Sequence, residues 1–317
     1  MIISASRRTD IPAFYSEWFI NRIKAGYCTV PNPFNRNQIS KVSLLPKDID
    51  VIVFWTRNPR PLLSYLTELD ERGFRYYFQY TVMANPRSLD IKSPHVDTAI
   101  DTFIQLSETI GPEKVIWRYD PIVFTTATSV DFHLRTYSKI ASSLSEHTRR
   151  SVISIVDEYP KAKRRISAMA NQSAKYIPIE QVPKCEFENF IKNLVFISQE
   201  NKMEIFSCAE EIDLKSLGVQ PGKCIDDNYI NSVFGIDVIH KKDPSQREVC
   251  GCVVSKDIGA YDTCLFGCQY CYATSSFERA KRQHAEHNPL SPSIIGYYNI
   301  EAKTNESTDE QLSFWPK

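Results

Sequence analysis

The chain has 317 residues, 42% hydrophobic and 24% charged, a balance that excludes a disordered polymer and fits a globular protein. Lys plus Arg and Asp plus Glu number 38 each, so the zero net charge argues against a surface built throughout for nucleic acid and leaves room only for a local basic patch. No apolar run is long enough to span a bilayer, and "MIISASRRTD" lacks a signal-peptide pattern, so the expected compartment is cytoplasmic, where nine cysteines argue for metal rather than disulfides.

In chain order, "IISAS" reads as a first strand ending in polar "RRTD". "PAFYSEWFINRIKAG" follows as a helix, with Asp10 as its cap, Pro12 in its first turn and an apolar face of Phe14, Trp18, Phe19 and Ile23. "CTVPNPF" reads as a loop or short hairpin. "DVIVFWT" is apolar enough to be a strand buried on both faces. A helix through "PLLSYLTELDERG" stops at Gly73, and "YYFQYTVM" is the third strand. The pattern repeats: helix "HVDTAIDTFIQLSETIG", strand "VIWRYDP", helix "VDFHLRTYSKIASSLSE", a strand within "RSVISIVDEY", a helix within "CEFENFIKNLVFISQENK" and strand "EIFSCAEE". Residues 212–262 look irregular, and "SSFERAKRQHAEH" is helix-like.

About six β/α units predict a parallel sheet. The expected fold is α/β: a partial (β/α)6 TIM-like barrel over residues 1–211, a C-terminal cysteine-rich iron–sulfur extension over 212–290 packed on the barrel mouth, and a tail over 291–317. No glycine-rich phosphate loop is present. Barrels of this kind place function at the carboxyl ends of the strands. Those ends supply the candidates for holding a cofactor or substrate: Arg7, Arg8, Asp10, Asn58, Gln79, Arg118, Asp120, Asp157 and Glu210. Adjacent Arg7 and Arg8 suit a phosphate or carboxylate, or else stand in solvent or pair with Asp10. Arg118 and Asp120 either pair with each other or bind a ligand. Asn58 and Gln79 can read hydroxyls or amides. Asp157, Glu158, Glu210 and Glu211 form an acidic group. A barrel rim needs polar residues merely to meet water, so about half of these ends need no other explanation. No residue is assigned a catalytic role, and nothing suggests a Ser–His–Asp triad.

The most specific feature is "CLFGCQYCYA". Cys264, Cys268 and Cys271 are spaced C-x3-C-x2-C, with Tyr270 before the last and Gly267 beside the middle one. Three thiolates can hold three irons of a 4Fe–4S cube and leave the fourth iron open, as a catalytic metal requires. The competing reading is structural zinc closed by His284 or His287, although zinc sites are more often built from two separated cysteine pairs.

C-x3-C-x2-C with an aromatic before the third cysteine resembles the signature of radical S-adenosylmethionine (radical SAM) enzymes. That resemblance implies a partial parallel β/α barrel and an open iron that binds S-adenosylmethionine. It further implies reductive cleavage to a 5′-deoxyadenosyl radical, with flavodoxin or ferredoxin as electron donor. In that superfamily the triplet usually follows the first strand, whereas here the first strand leads into "SRRTD". The chain as a whole resembles the family called domain of unknown function 1848, whose cysteine cluster is C-terminal. "MIISASRRTDIPAFY", "VFWTRNP", "VIWRYDPI", "SCAEEIDL", "QREVCGCV" and "DIGAYDTCLFGCQYCYA" carry the resemblance. It implies fold and cofactor class and no substrate. In the radical SAM superfamily strand-end residues often hold the ribose hydroxyls, which would be the task of some of Asp157, Glu158, Glu210 and Glu211.

Cys208, Cys224, Cys250 and Cys252 form a second set that could hold an auxiliary iron–sulfur cluster or a tetrahedral zinc. The plainer explanation, small buried hydrophobes, suffices for Cys28 and Cys185. "QLSFW" (Gln311 to Trp315) resembles the short peptides that bind the bacterial sliding clamp, or is simply a docked aromatic tail. The leading expectation is therefore a radical SAM enzyme acting on a small molecule or a nucleic-acid base. The alternative is a non-catalytic zinc- or iron–sulfur-stabilised nucleic-acid-binding protein, with Arg7, Arg8 and "KAKRR" (Lys161 to Arg165) meeting phosphates. "KAKRR" reads equally as a solvated helix face.

Overall fold

The computed structural model describes residues 1–35, 37–157, 159–169 and 175–298. Glu158, the "QLSFW" peptide and the tail from residue 299 lie outside the described residues.

All six expected strands are present: β1 (Ile2–Ala5), β4 (Val51–Thr56), β5 (Tyr76–Thr81), β6 (Val115–Ile122), β7 (Arg150–Ile155) and β8 (Glu204–Cys208). The "CTVPNPF" stretch is one arm of an antiparallel hairpin, β2 (Tyr27–Pro31) with β3 (Ile39–Ser43). Residues 212–262 are more ordered than expected. They contribute β9 (Gln220–Gly222) and β10 (Lys256–Asp257), both parallel to their neighbours. The hydrogen-bonded order is β10-β1-β4-β5-β6-β7-β8-β9, an eight-stranded sheet whose end strands are β10 and β9. This is a mixed α/β fold with a large parallel sheet, and no closing pair joins its ends among the described residues. The two added strands are short and polar, and β9 carries Pro221 and Gly222, which only an edge strand tolerates well. Periodicity could not reveal them.

The helices are α1 (Ile11–Phe14), α2 (Ser16–Ala25), α3 (Arg60–Leu63), α4 (Leu66–Glu71), α5 (Val96–Ile110), α6 (Val130–Leu144), α7 (Pro160–Met169), α8 (Lys184–Glu200), α9 (Asp227–Phe234) and α10 (Phe277–Ala285). Two expected helices are each split. Tyr15, at φ −137° and ψ 24°, separates α1 from α2, and Ser64 and Tyr65 separate α3 from α4. Asp10 caps α1 as expected, accepting from the Ala13 amide at 2.9 Å.

The chain divides into two compact units. One holds Met1–Tyr77, Cys224–Leu265 and the described residues from Ala273 onward, and the other holds Phe78–Lys223 with Phe266–Tyr272. In the first unit, Trp18, Phe19 and Phe54 are fully buried, with Phe19 and Phe54 edge to face. In the second, α6 buries His133, Tyr137, Ile140, Ala141 and Leu144, the spacing of one helical face. Tyr137 stacks on Trp117 at 4.7 Å, and its hydroxyl meets those of Ser151 and Ser198 at 2.7 and 2.6 Å. A buried tyrosine thus keeps its polar end satisfied.

Candidate functional site

In the first unit, the carboxyl end of β1 is organised by Asp257 of β10. Its carboxylate accepts from Ser4 Oγ at 2.9 Å, Ser6 Oγ at 2.7 Å, the Arg7 amide at 2.8 Å and the Gly259 amide at 2.9 Å. Arg8 Nε lies 3.8 Å from the same carboxylate. Arg8 is buried, with its guanidinium over the Tyr261 ring. Asp257, not Asp10, therefore answers the charge of Arg8. Asp10 is turned to backbone, accepting from the Arg57 amide at 2.7 Å as well as from Ala13, and burial pushes its carboxyl up to about 7. Asn58 closes a local turn, its amide donating to Thr56 Oγ1 at 2.9 Å and its Oδ1 accepting from the Arg60 amide at 3.3 Å.

Arg7 has a different setting. Its guanidinium lies over the Trp55 ring and donates to Ser255 Oγ at 3.5 Å. Burial opposes its charge, but Cys252, Asp257, Cys224 and Cys250 outweigh burial and hold the guanidinium protonated. Hydrogen bonds with the Cys224 and Cys250 thiols, with Arg7 nearby, hold the Cys252 thiol well below the usual thiol range. Three of the four cysteines in the second set thus share one environment. Cys208 belongs to the second unit, where it neighbours Glu210.

The second unit gathers the rim candidates of β5 to β8. Arg118 donates Nε to Asp120 Oδ2 at 2.8 Å and a terminal nitrogen to Gln79 Oε1 at 3.2 Å, so the expected Arg118–Asp120 pairing is present and Gln79 joins it. Ser154 donates to the other oxygen of Asp120. Glu210 accepts from the Ile155 amide at 2.8 Å. Burial, with Asp157, Cys208 and Asp120 adding to it, pushes the Glu210 carboxyl up to about 8. Asp157 accepts from the Tyr159 hydroxyl at 3.1 Å.

The cysteine loop is divided between the units, Cys264 in the first and Cys268 and Cys271 in the second. Cys264 follows Thr263, whose carbonyl accepts from the Tyr15 hydroxyl at 2.8 Å. His284 Nδ1 lies 3.3 Å from that hydroxyl, and His287 Nδ1 lies 2.7 Å from the Ile294 carbonyl. In the second unit the loop is fastened to the segment that follows β5. The Gln269 amide donates to the Leu89 carbonyl at 2.9 Å and the Lys92 amide to the Phe266 carbonyl at 3.0 Å. Tyr270 Oη donates to buried Asp90 at 2.6 Å. Arg165 of α7 donates to the carbonyls of Gln269, at 2.8 Å, and of Cys271. "KAKRR" is therefore only partly a solvated face: Lys161, Lys163 and Arg164 are exposed, while half-buried Arg165 grips the loop.

A profile described as "Domain of unknown function (DUF1848)" matches residues 2–273. The chain belongs to the DUF1848 family. The matched region takes in all seven cysteines of the two candidate sets. No protein of curated function matches the chain.

Two features of this DUF1848 chain bear on a cluster at the loop. None of the nine cysteines is joined in a disulfide, and the backbone around Cys268 and Cys271 is held by hydrogen bonds from Gln269, Lys92, Tyr270 and Arg165. By donor chemistry and by the spacing of the three thiols, the loop fits an iron–sulfur group. Among the described residues, no three His, Cys, Asp or Glu side chains close on one point as the ligands of a single ion do. Asp257 and Asp90 were not singled out from the sequence, and Arg165 was named there only within "KAKRR" as a phosphate contact, not as an anchor of the loop. Each acts on a residue far along the chain, and no local pattern marks such a residue.

Proposed function

We propose that this protein is a radical SAM enzyme whose 4Fe–4S cluster is held by Cys264, Cys268 and Cys271. The observation that carries the reading is the C-x3-C-x2-C loop, two of whose cysteines sit on backbone anchored by Asp90, Leu89, Lys92 and Arg165. When bound, the cluster would supply one electron to S-adenosylmethionine and so start radical chemistry. The protein's own part is binding, orientation and exclusion of side reactions. Within the second unit, Arg118, Asp120, Asp157 and Glu210 line the ends of β6, β7 and β8 with groups suited to a polar cofactor. Glu210, neutral below about pH 8, can donate a hydrogen bond, and Asp157 can accept one. In this reading the strands form a curved partial barrel, and the substrate is a small molecule or a nucleic-acid base.

Protein purified without air should be brown, contain about four irons assigned to the loop and, once reduced, convert S-adenosylmethionine to 5′-deoxyadenosine. A Cys268→Ala variant should form none. A colourless wild-type protein, or a variant that still forms 5′-deoxyadenosine, rules the assignment out.

A further inference from the structure

Apart from Arg165, the basic run "KAKRR" plays no part in the reading above, and neither do the aromatics beside the cysteine loop. They meet on one face of the second unit. Arg165 of α7 donates to the carbonyls of Gln269, at 2.8 Å, and of Cys271, so one flank of the helix runs along the loop. Ala162 and Ile166 are the buried side of α7. Lys161 has Arg164 and Arg165 as its i+3 and i+4 neighbours, so the three cations share the flank that meets the loop. Tyr272, directly after Cys271, is 41% exposed, and its ring lies 5.7 Å from that of Tyr159 at an angle of 47°. Tyr159 directly precedes α7. At the other end of this stretch of loop the Lys92 amide donates to the Phe266 carbonyl at 3.0 Å, and exposed Ile91 borders Gly267.

Lys92, Lys161 and Arg164 are exposed, and among the described residues none of the three makes an ion pair or a side-chain hydrogen bond. The stretch between them, Phe266 to Tyr272, carries no charge. The carboxylates close by are engaged, Asp90 by Tyr270 and Asn85 and Asp157 by the Tyr159 hydroxyl. In a chain of zero net charge this is a local surplus of cations. A polyanion answers the cations, and an exposed ring between them answers a second flat ring. An acidic protein would satisfy the charge without using Tyr272, and a duplex hides the faces of its bases within the stack. We propose that this face binds single-stranded nucleic acid, with Lys92, Lys161 and Arg164 on phosphates and an unpaired base stacked on Tyr272. This deepens the enzyme reading and rests on it for its purpose: the stacked base lies on the residue next to Cys271, so the substrate is a nucleic-acid base.

The full chain, prepared without air and without S-adenosylmethionine or reductant, is titrated into fluorescein-labelled oligothymidine of about twelve nucleotides, its RNA counterpart and a duplex of equal length, with fluorescence anisotropy as the readout. Both single strands should bind more tightly than the duplex. With three phosphate contacts, log K should fall against log salt with a slope of about −2. Lys161→Ala together with Arg164→Ala should bring that slope to about −0.7. Tyr272→Ala should weaken binding about tenfold at unchanged slope, and Tyr272→Phe should bind like wild type. If the double alanine lowers the helix content by circular dichroism, Lys92→Ala, which lies off α7, repeats the slope test. Tighter binding of the duplex, a slope that these alanines leave untouched, or Tyr272→Ala binding like wild type overturns the proposal. So does an absence of binding at about 50 mM salt. Polyglutamate that displaces the oligonucleotide at equal charge also overturns it and assigns the face to an acidic protein. No radical chemistry is read in this titration. Protein that forms 5′-deoxyadenosine but binds no oligonucleotide therefore overturns this proposal alone, and protein that binds the oligonucleotide but forms none overturns the cluster alone.

Discussion

Tyr270 Oη donates to Asp90 Oδ1 at 2.6 Å, joining residues 180 positions apart. Tyr270 is the aromatic of the cysteine motif, and its hydroxyl ties the loop to the segment after β5. Asn85 holds the other carboxylate oxygen of Asp90 at 3.1 Å. Tyr270→Phe keeps the ring and strips a buried carboxylate of one donor. The expected cost is about 1–3 kcal/mol in denaturant unfolding. Hydrogen exchange at the Gln269 amide, which bonds the Leu89 carbonyl, should become faster.

Arg165 grips the same loop by its carbonyls. Arg165→Ala should leave the far-ultraviolet circular dichroism unchanged. A cluster reconstituted on the loop should lose iron to a chelator about tenfold faster, the scale of loss when a group supporting metal ligands is removed. Arg165→Lys, with one nitrogen in place of a fork, should fall between the two.

His133 sets an acid limit on stability. Burial pushes its imidazole down to about 4, while Nδ1 faces the Tyr119 hydroxyl at 2.8 Å and Nε2 the Val123 carbonyl at 3.1 Å. The unfolded chain takes up this proton near pH 6.5 and the folded chain only near pH 4. Stability from this group is therefore complete above pH 6.5 and is lost as pH falls toward 4, by about 3 kcal/mol in all. Melting curves from pH 7 to 4 should show His133→Gln less stable than wild type at pH 7, with the gap narrowing as pH falls.

Gly259 leaves no room for a side chain. A Cβ there would strike Ser6 Oγ. That hydroxyl is held by Asp257 at 2.7 Å and by the Arg8 amide at 2.9 Å, so it cannot swing aside freely. Gly259→Ala should cost about 1–3 kcal/mol, read from the denaturation midpoint. Gly259 is not among the positive-φ glycines, so its cost is the clash alone, whereas Gly235→Ala, at φ 64° with nothing within 4 Å of its Cβ position, should cost only through backbone strain.

The six main strands were legible because each is a run of apolar residues buried by its neighbours, as Val51 to Phe54 show. The Asp10 cap and the Arg118–Asp120 pair were legible because their partners lie within three residues. The breaks at Tyr15 and at Ser64–Tyr65 were not, since both helical patterns run on through them. Strand β10 is the extreme case. Lys256 and Asp257 have no strand character, and only pairing with β1 makes them a strand.

By itself the sequence determined the alternation that makes a parallel sheet and the spacing of Cys264, Cys268 and Cys271, because both are set by residues close together along the chain. Tertiary structure alone decided that Asp257 answers Arg8 and that Arg165 and Asp90 hold the loop. Those relationships join distant segments, and what fixes them is the burial of charges that must find partners once water is removed.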